Sequence, residues 1–264
     1  MDLHLKGKIA LVTGSTTGIG FSIAESLAKE EVTVAINGRS EERVTQAIEK
    51  ISCNYKQAEL IPIVADLSTN EGITKVIQNL PAIDILINNY GIYEVQSFYE
   101  LSEEDWLKSF NHNVMSGVRL SRHYLPSMLK QNWGRIIFIS SESALQIPTD
   151  MIHYGVSKTA QVSLARGLAE LTTATDITVN SVLPGPTRTE GVENFLEQTA
   201  KQNNQTLEEL EKNFFTDVRP TSLIKRFIKP EEVSSLVTYL CSPLAAAING
   251  SAVRIDGGLI RSII

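Results

Sequence analysis

Apolar residues recur along this chain in two rhythms. Short β-branched runs, in which nearly every position is apolar, alternate with longer amphipathic segments of helical length. The runs are Ile9–Thr13, Val32–Ile36, Leu60–Val64, Ile83–Ile87, Arg135–Ile139, Ile177–Val182 and Ala252–Ile255. Seven strands are expected. Near-continuous apolarity suits strands covered on both faces, and the helices between them supply the crossovers that parallel pairing demands. The pattern therefore predicts a doubly wound α/β fold, a seven-stranded parallel sheet flanked by helices. In such sheets ligands bind outside the carboxyl ends of the strands, so chemistry is sought in the residues that follow each run.

One stretch breaks the alternation. From Glu190 to about Pro230, two helical segments, around Val192–Lys201 and Leu207–Phe215, are joined by the polar Gln202-Asn203-Asn204-Gln205. This reads as a helical lid, spanning about residues 190–229, inserted at the ligand end of the sheet. No linker rich in Gly, Pro or Ser marks a boundary, so residues 1–264 are expected to form one domain. The composition, 42% hydrophobic and 20% charged, is that of an ordinary globule. No apolar run is long enough to span a bilayer, and Met1–Lys8 holds no apolar stretch of signal-peptide length. A cytoplasmic protein is expected, without membrane association. The formal charge of −6 is interspersed, with no basic stripe for nucleic acid. Cys53 and Cys241 stand far apart with no neighbouring Cys/His cluster, so neither a disulfide nor a metal site is expected.

The first strand runs into Thr13-Gly14-Ser15-Thr16-Thr17-Gly18-Ile19-Gly20 and then into a helix. Glycines let such a turn close and let the backbone approach a pyrophosphate, which the exposed N–H groups at the helix start attract. A dinucleotide is the expected ligand; a plain tight turn is the alternative. An acid at the end of the second strand would accept from the ribose hydroxyls of NAD and repel a 2′-phosphate. This chain has Asn37-Gly38-Arg39-Ser40 instead. Arg39 offers a permanently charged planar fork, and Asn37 and Ser40 add donors. NADP is favoured over NAD, unless Arg39 is merely a solvated charge beside Glu41 and Glu42.

After the fifth strand come Ser140-Ser141-Glu142-Ser143 and then Tyr154-Gly155-Val156-Ser157-Lys158. Residues four apart share a helix face, so a phenol and an ammonium can share a site. A nearby positive charge favours the ionised phenol and makes it a usable acid or base. Taken alone, such a pair is more often a packed ring and a solvated lysine.

Taken together, the TGxxxGxG turn, Asp66-Leu67 after the third strand, Asn88-Asn89-Tyr90-Gly91 after the fourth, the Tyr-x-x-x-Lys pair, Pro184-Gly185 and Asp256-Gly257-Gly258 resemble the short-chain dehydrogenase/reductase family. The resemblance spans nearly the whole chain and implies a Rossmann-type fold. It includes members that reduce 3-oxoacyl groups on acyl carrier protein. It implies hydride exchange between a nicotinamide cofactor and a carbonyl or secondary alcohol. It further implies that Ser141, by the family spacing, and Tyr154 bind the carbonyl oxygen, with Tyr154 as general acid/base. Lys158 would hold the nicotinamide ribose, and Asn113 would position a water for proton relay, a role that does not exclude its also holding an irregular turn of a long helix Glu103–Gln131. Cofactor contacts are implied for the glycine turn, Asp66, Leu67, Asn89, Gly91, Pro184, Gly185, Thr187 and Thr189; Thr189 is otherwise a helix cap. Association into a homotetramer or homodimer, through Pro230-Glu231-Glu232 and Ala252–Ile255, also follows from the resemblance.

Tyr90 replaces the small residue usual in the family, and is expected to reshape the substrate pocket with Tyr93, Glu142, Gln146 and His153. His112 and His153 match no family catalytic position and read as structural or pocket-lining. Phe195, Leu196, Phe214 and Phe215 either face the pocket from the lid or pack between its helices. Where reductases of carrier-bound substrates resemble one another in basic residues, this chain has Asn132 and Thr175, with Lys130 and Arg135 nearby. A smaller ketone, aldehyde or alcohol is expected, with 3-oxoacyl thioester reduction as the rival. A non-catalytic NADP-binding sensor or scaffold is the reading from another class.

Overall fold

The computed structural model describes residues 1–203 and 205–263; Asn204 of the lid linker and the side chains of Phe195 and Asn203 lie outside the described residues. Seven strands form one parallel sheet: β1 (Ile9–Val12), β2 (Thr33–Gly38), β3 (Leu60–Val64), β4 (Ile85–Asn88), β5 (Trp133–Ile139), β6 (Asp176–Pro184) and β7 (Ala252–Ile255), in the order β3-β2-β1-β4-β5-β6-β7. Strand order reverses between β1 and β4, and connections leaving those neighbours in opposite directions open a crevice at their carboxyl ends. The helices are α1 (Gly18–Lys29), α2 (Glu41–Asn54), α3 (Asn70–Asn79), α4 (Glu103–Phe110), α5 (Ser116–Gln131), α6 (Ile152–Glu170), α7 (Glu190–Asn203), α8 (Leu207–Asn213) and α9 (Pro230–Cys241).

The two-sided burial inferred from the apolar runs is visible residue by residue. On β1, β4 and β5, Ala10, Val12, Ile85, Ile87, Ile137 and Ile139 pack on one face against α1, α2 and α9, through Ile23, Leu27, Val44, Ile51, Val233 and Val237. The alternate positions Leu11, Leu86, Ile136 and Phe138 pack on the other face against α3, α5 and α6, through Val76, Leu120, Met128 and Ala165. Each of the larger side chains among these, Val, Leu, Ile, Met or Phe, contributes about 1.5–3 kcal/mol when fully buried. Ser40 and Thr69 begin α2 and α3 by accepting the N–H of Arg43 and Gly72, and Ser102 and Asp105 form a capping box on α4.

The long helix expected over Glu103–Gln131 is interrupted. Between α4 and α5, Asn111–Met115 form one π-helical turn, whose wider ring inserts an extra residue. The lid is α7 and α8, followed by a second π-turn at Phe214–Val218. Leu196, Phe215 and Phe227 make a small core of their own, with Phe214 stacked on Phe227. The lid phenylalanines that are described thus pack with one another. No helix among the described residues is long and apolar enough to cross a membrane.

Candidate active site

Every strand is parallel, so the segments after β1, β2, β3, β4, β5 and β6 reach the same edge of the sheet. At its centre lies the glycine turn. Gly14 and Gly18 have φ of 60° and 59°, the left-handed region that side chains disfavour. A Cβ on Gly20 would fall 2.4 Å from the Asn89 amide nitrogen and from the Gly14 carbonyl oxygen. The start of α1 has no side-chain cap on Thr17 and no acid in its first turn. Its N–H groups and partial positive charge are therefore available to an anion such as a pyrophosphate. Thr16, Thr17, Gly18 and Ile19 lie on the accessible side of this turn, and the Thr189 side chain abuts Gly18.

Ser15 and Asn37 are corrections to the sequence reading. Ser15 is fully buried; its hydroxyl donates to Val12 O and its N–H to Asn37 O, so neither faces a ligand. The Asn37 amide accepts from Gly14 N–H and donates to Ile63 O and Ala65 O. It binds the turn to the end of β3, and has no donor left for a 2′-phosphate. Ser40 is occupied in capping α2. Arg39 remains: it is exposed, its charge bears on Asp66 and Tyr90, and among the described residues no ion pair ties it to Glu41 or Glu42.

After β3, Asp66 Oδ1 accepts from Ser68 N–H, from Ser68 Oγ and from the Tyr90 hydroxyl at 3.2 Å. Burial raises the Asp66 carboxyl, but these hydrogen bonds together outweigh it and hold the group below its ordinary value. Leu67 is fully buried in the core, so its side chain does not reach the cleft. Tyr90 is the second displaced expectation. Its ring stacks on His112 with centroids 5.8 Å apart, and its hydroxyl points to Asp66. It therefore serves the end of the crevice nearest β3, not the wall beside Tyr154, because the turn after β4 carries its side chain back over the sheet face packed by α3 and α5. Burial pushes its hydroxyl up to about 12.

After β5, the two serines separate. Ser140 is buried and donates to the Lys158 carbonyl, whereas Ser141 stands beside Tyr154 and opposes the rise in its pKa. Desolvation pushes the Tyr154 hydroxyl up to about 12, with the Glu142 carboxylate adding to the rise. The Lys158 ammonium lies 5.6 Å from the Tyr154 ring centroid and donates to Ile139 O at 2.9 Å. Burial brings it down to about 8. Lys158 is buried and so is not the solvated lysine of the alternative.

Asn113 occupies the π-turn and is almost wholly buried. Its Oδ1 accepts Ile92 N–H at 2.7 Å, and its Nδ2 donates to Ile92 O and Ser157 Oγ. Its own carbonyl accepts from Gln161. The side chain therefore holds the segment after β4 to α6. A Cβ on Gly91 would lie 2.9 Å from Asn113 Oδ1, too close unless that side chain shifts, and in ordinary contact at 3.7 Å with Lys158 Nζ, so glycine lets the segment pass between them undisturbed. Asn89 donates to Thr13 O and Gly14 O. Gly185 packs on the Asp256 backbone; Thr187 Oγ1 donates to Gly185 O, and Thr189 Oγ1 accepts from Val192 N–H at the start of α7. Pro184 ends β6 at the same edge.

Of the expected pocket wall, Tyr93 meets Tyr154 edge to face at 6.4 Å and is largely exposed, and Gln146 is exposed nearby in sequence to Glu142. His153 is buried with its ring against Trp106 of α4. Glu142 is buried and accepts from Arg219 of the lid at 3.1 Å. Sequence reasoning missed Thr13, whose hydroxyl gathers the N–H groups of Asn89 and Tyr90, and Ser157 and Gln161, which anchor Asn113. The last two sit one turn apart on the Tyr-x-x-x-Lys helix, and that spacing was the available signal. Arg219 carried none. Arg135, considered for carrier docking, is 1% exposed and donates to Gly134 O and Asp176 O, so it presents nothing to a partner.

The chain is similar to known proteins along most or all of its length. The family model for short chain dehydrogenase matches residues 8–200. An uncharacterized oxidoreductase, YvaG, of Bacillus subtilis (strain 168) is 49% identical over the full length of both chains. The 3-oxoacyl-[acyl-carrier-protein] reductase FabG of Aquifex aeolicus (strain VF5) is 33% identical over 98% of this chain and all of its own. Among solved structures, L-sorbose reductase from Gluconobacter frateurii complexed with NADPH and L-sorbose superposes with a TM-score of 0.93 at 30% identity, covering both chains completely. The chain belongs to the short-chain dehydrogenase/reductase family of oxidoreductases.

Proposed function

We propose that this protein is an NADP-dependent oxidoreductase that interconverts a carbonyl and a secondary alcohol, with Tyr154 as the general acid/base. The observation that carries this reading is the grouping of Ser141, Tyr154 and Lys158 on the sheet edge that also bears the glycine turn. The turn from Gly14 to Gly20, Asp66, Asn89, Gly91, Thr187 and Thr189 would hold the dinucleotide, and Arg39 the 2′-phosphate. The L-sorbose reductase in its NADPH complex supports NADP over NAD. When bound, the nicotinamide supplies a hydride to the carbonyl carbon, or takes one from the alcohol.

Ser141 and Tyr154 hydrogen-bond the carbonyl oxygen, and Tyr154 gives that oxygen its proton. A hydroxyl pushed up to about 12 stays protonated at neutrality, the form in which reduction needs it. The Lys158 ammonium offsets the negative charge that would remain on the phenol. Asn113, through Ile92 and Ser157, keeps the segments on either side of Lys158 in place. The substrate we infer is a small ketone or aldehyde. The burial of Arg135 argues against an acidic carrier protein, leaving Lys130 as the basic residue there. The chain acts as one domain with its lid, and edge strand β7 supports association into a dimer or tetramer.

The test is oxidation of NADPH and NADH across a panel of ketones, aldehydes and 3-oxoacyl thioesters. Tyr154→Phe should reduce turnover by about 10²–10⁴-fold while NADPH still binds. Full turnover by that variant refutes the assignment. Preference for thioesters over small carbonyls selects the rival substrate, and tight NADPH binding with no oxidation selects the sensor.

A further inference from the structure

Glu142 follows Ser141 directly and begins a 3₁₀ turn, in which its carbonyl accepts from Leu145 and Gln146 N–H and the Ser141 hydroxyl accepts from Ser143 N–H. Its side chain is 4% exposed, and Oε1 is held by Arg219 Nε at 3.1 Å. Among the described residues Oε2 is buried without a hydrogen-bond partner. Arg219 belongs to the lid. Its N–H donates to Phe214 O, closing the second π-turn, and Phe214 packs in the lid's small core with Phe215 and Phe227. A continuous chain of contacts therefore runs from that core through Arg219 and Glu142 to Ser141 and Tyr154.

An ion pair in this place is costly. Two desolvated charges seldom stabilise a fold better than well-packed apolar side chains of similar volume, so the pair calls for a role beyond cohesion. Arg219 faces Glu142 from the lid, Ser143 from the 3₁₀ turn itself, Asp256 from beyond β7 and Tyr154 from α6, while Ser141, Tyr93 and Glu142 face the Tyr154 hydroxyl.

We propose that Glu142 is a positioning residue: gripped by Arg219, it fastens the lid to the end of β5 and fixes Ser141 and Tyr154 in their working arrangement. Seating of the lid and readiness for proton transfer are then one event. This rests on the assignment of Ser141 and Tyr154 made above.

The experiment combines hydrogen exchange with steady-state kinetics on the full chain. Arg219→Met strands a buried carboxylate. It should speed exchange roughly tenfold or more in residues 207–219 and, together with them, in 141–146. With the best carbonyl of the panel, kcat should fall about tenfold while the Kd for NADPH stays within about twofold. The double variant Glu142→Leu with Arg219→Met should regain stability and leave kcat low. Glu142→Gln keeps the shape and the bond to Arg219, so it should exchange like wild type. Removing the charge beside Tyr154 should move the pH profile of kcat to lower pH. Exchange that rises in the lid but not in 141–146, additive effects in the double variant, or an unmoved pH profile in Glu142→Gln would each overturn the proposal. If wild type reduces no carbonyl at all, the oxidoreductase reading fails, and the exchange coupling still decides whether the latch exists.

Discussion

Replacing Asn113 by alanine tests whether the π-turn is a structural clasp. The amide satisfies three partners, the half-buried Ile92 N–H and C=O and the buried Ser157 hydroxyl, at 2.7, 3.0 and 2.9 Å. A hydrogen bond contributes about 1 kcal/mol net, and a buried group left without a partner costs about 1–3 kcal/mol. Ser157 still donates to Tyr154 O, so its penalty is at the low end. The sum is about 3 kcal/mol, a large part of the roughly 5–15 kcal/mol that keeps a domain folded. For a chain of this size the melting temperature should fall by roughly 6–12 °C. Asn113→Asp keeps an acceptor for Ile92 N–H but loses the donors and buries a charge. It should be about as unstable as the alanine variant at pH 8 and recover part of the loss at pH 5, where a protonated carboxyl can donate. The assay is urea unfolding followed by far-UV circular dichroism at both pH values. A loss below about 1 kcal/mol for Asn113→Ala would refute the clasp and return Asn113 to a purely chemical role.

Three further outcomes follow from the geometry. Arg39→Ala should weaken NADPH binding by about tenfold or more and leave NADH unchanged, because it removes a charge-assisted bond that only a 2′-phosphate can make; equal loss for both cofactors, read by fluorescence titration, refutes that role. Tyr90→Ala removes the stack on His112 and the bond to Asp66, so it should weaken NADPH and NADH alike; a change confined to the KM of the carbonyl would instead place Tyr90 in the substrate wall. Lys158 is brought down to about 8 in the fold against an ordinary 10.5, so between those values the unfolded chain binds the extra proton and stability rises with pH. Unfolding of the cofactor-free protein at pH 7 and pH 9.5 should show this rise in wild type and not in Lys158→Met.

The sheet was legible because both of its faces are covered. Runs such as Ile83–Ile87 carry one polar residue, Asp84, and so lack the sustained alternation of surface strands, and in the fold β4 is buried at every position. The glycine turn was legible for a related reason: few sequences place glycines at the positions where the backbone turns left-handed and a Cβ would strike Gly14 O. What the sequence hid were directions and distant meetings. Asn37 and Ser15 have side chains suited to a ligand, yet the depth of the turn points them inward, where they join three strands. Tyr90 looked like a substrate residue because it stands where the family carries a small one, but one residue along a turn is enough to send a side chain to the opposite end of the crevice. The Glu142–Arg219 pair joins residues 77 apart, and no local periodicity encodes such a pairing.

The π-turn at Asn111–Met115 also bears on how this helix tolerates insertions and deletions. A π-bulge is an α-helix carrying one residue too many, so a single deletion within 111–115 would restore regular α-helical hydrogen bonding across the junction of α4 and α5. Such a shortened chain would have a better helix and a worse enzyme, because the Asn113 amide would no longer project at Ile92 and α4 would turn by about 100° relative to α5. Local regularity and the working shape of the cleft are opposed at this one residue, and the length of the chain between Ser102 and Asn132 is held fixed by the second of them.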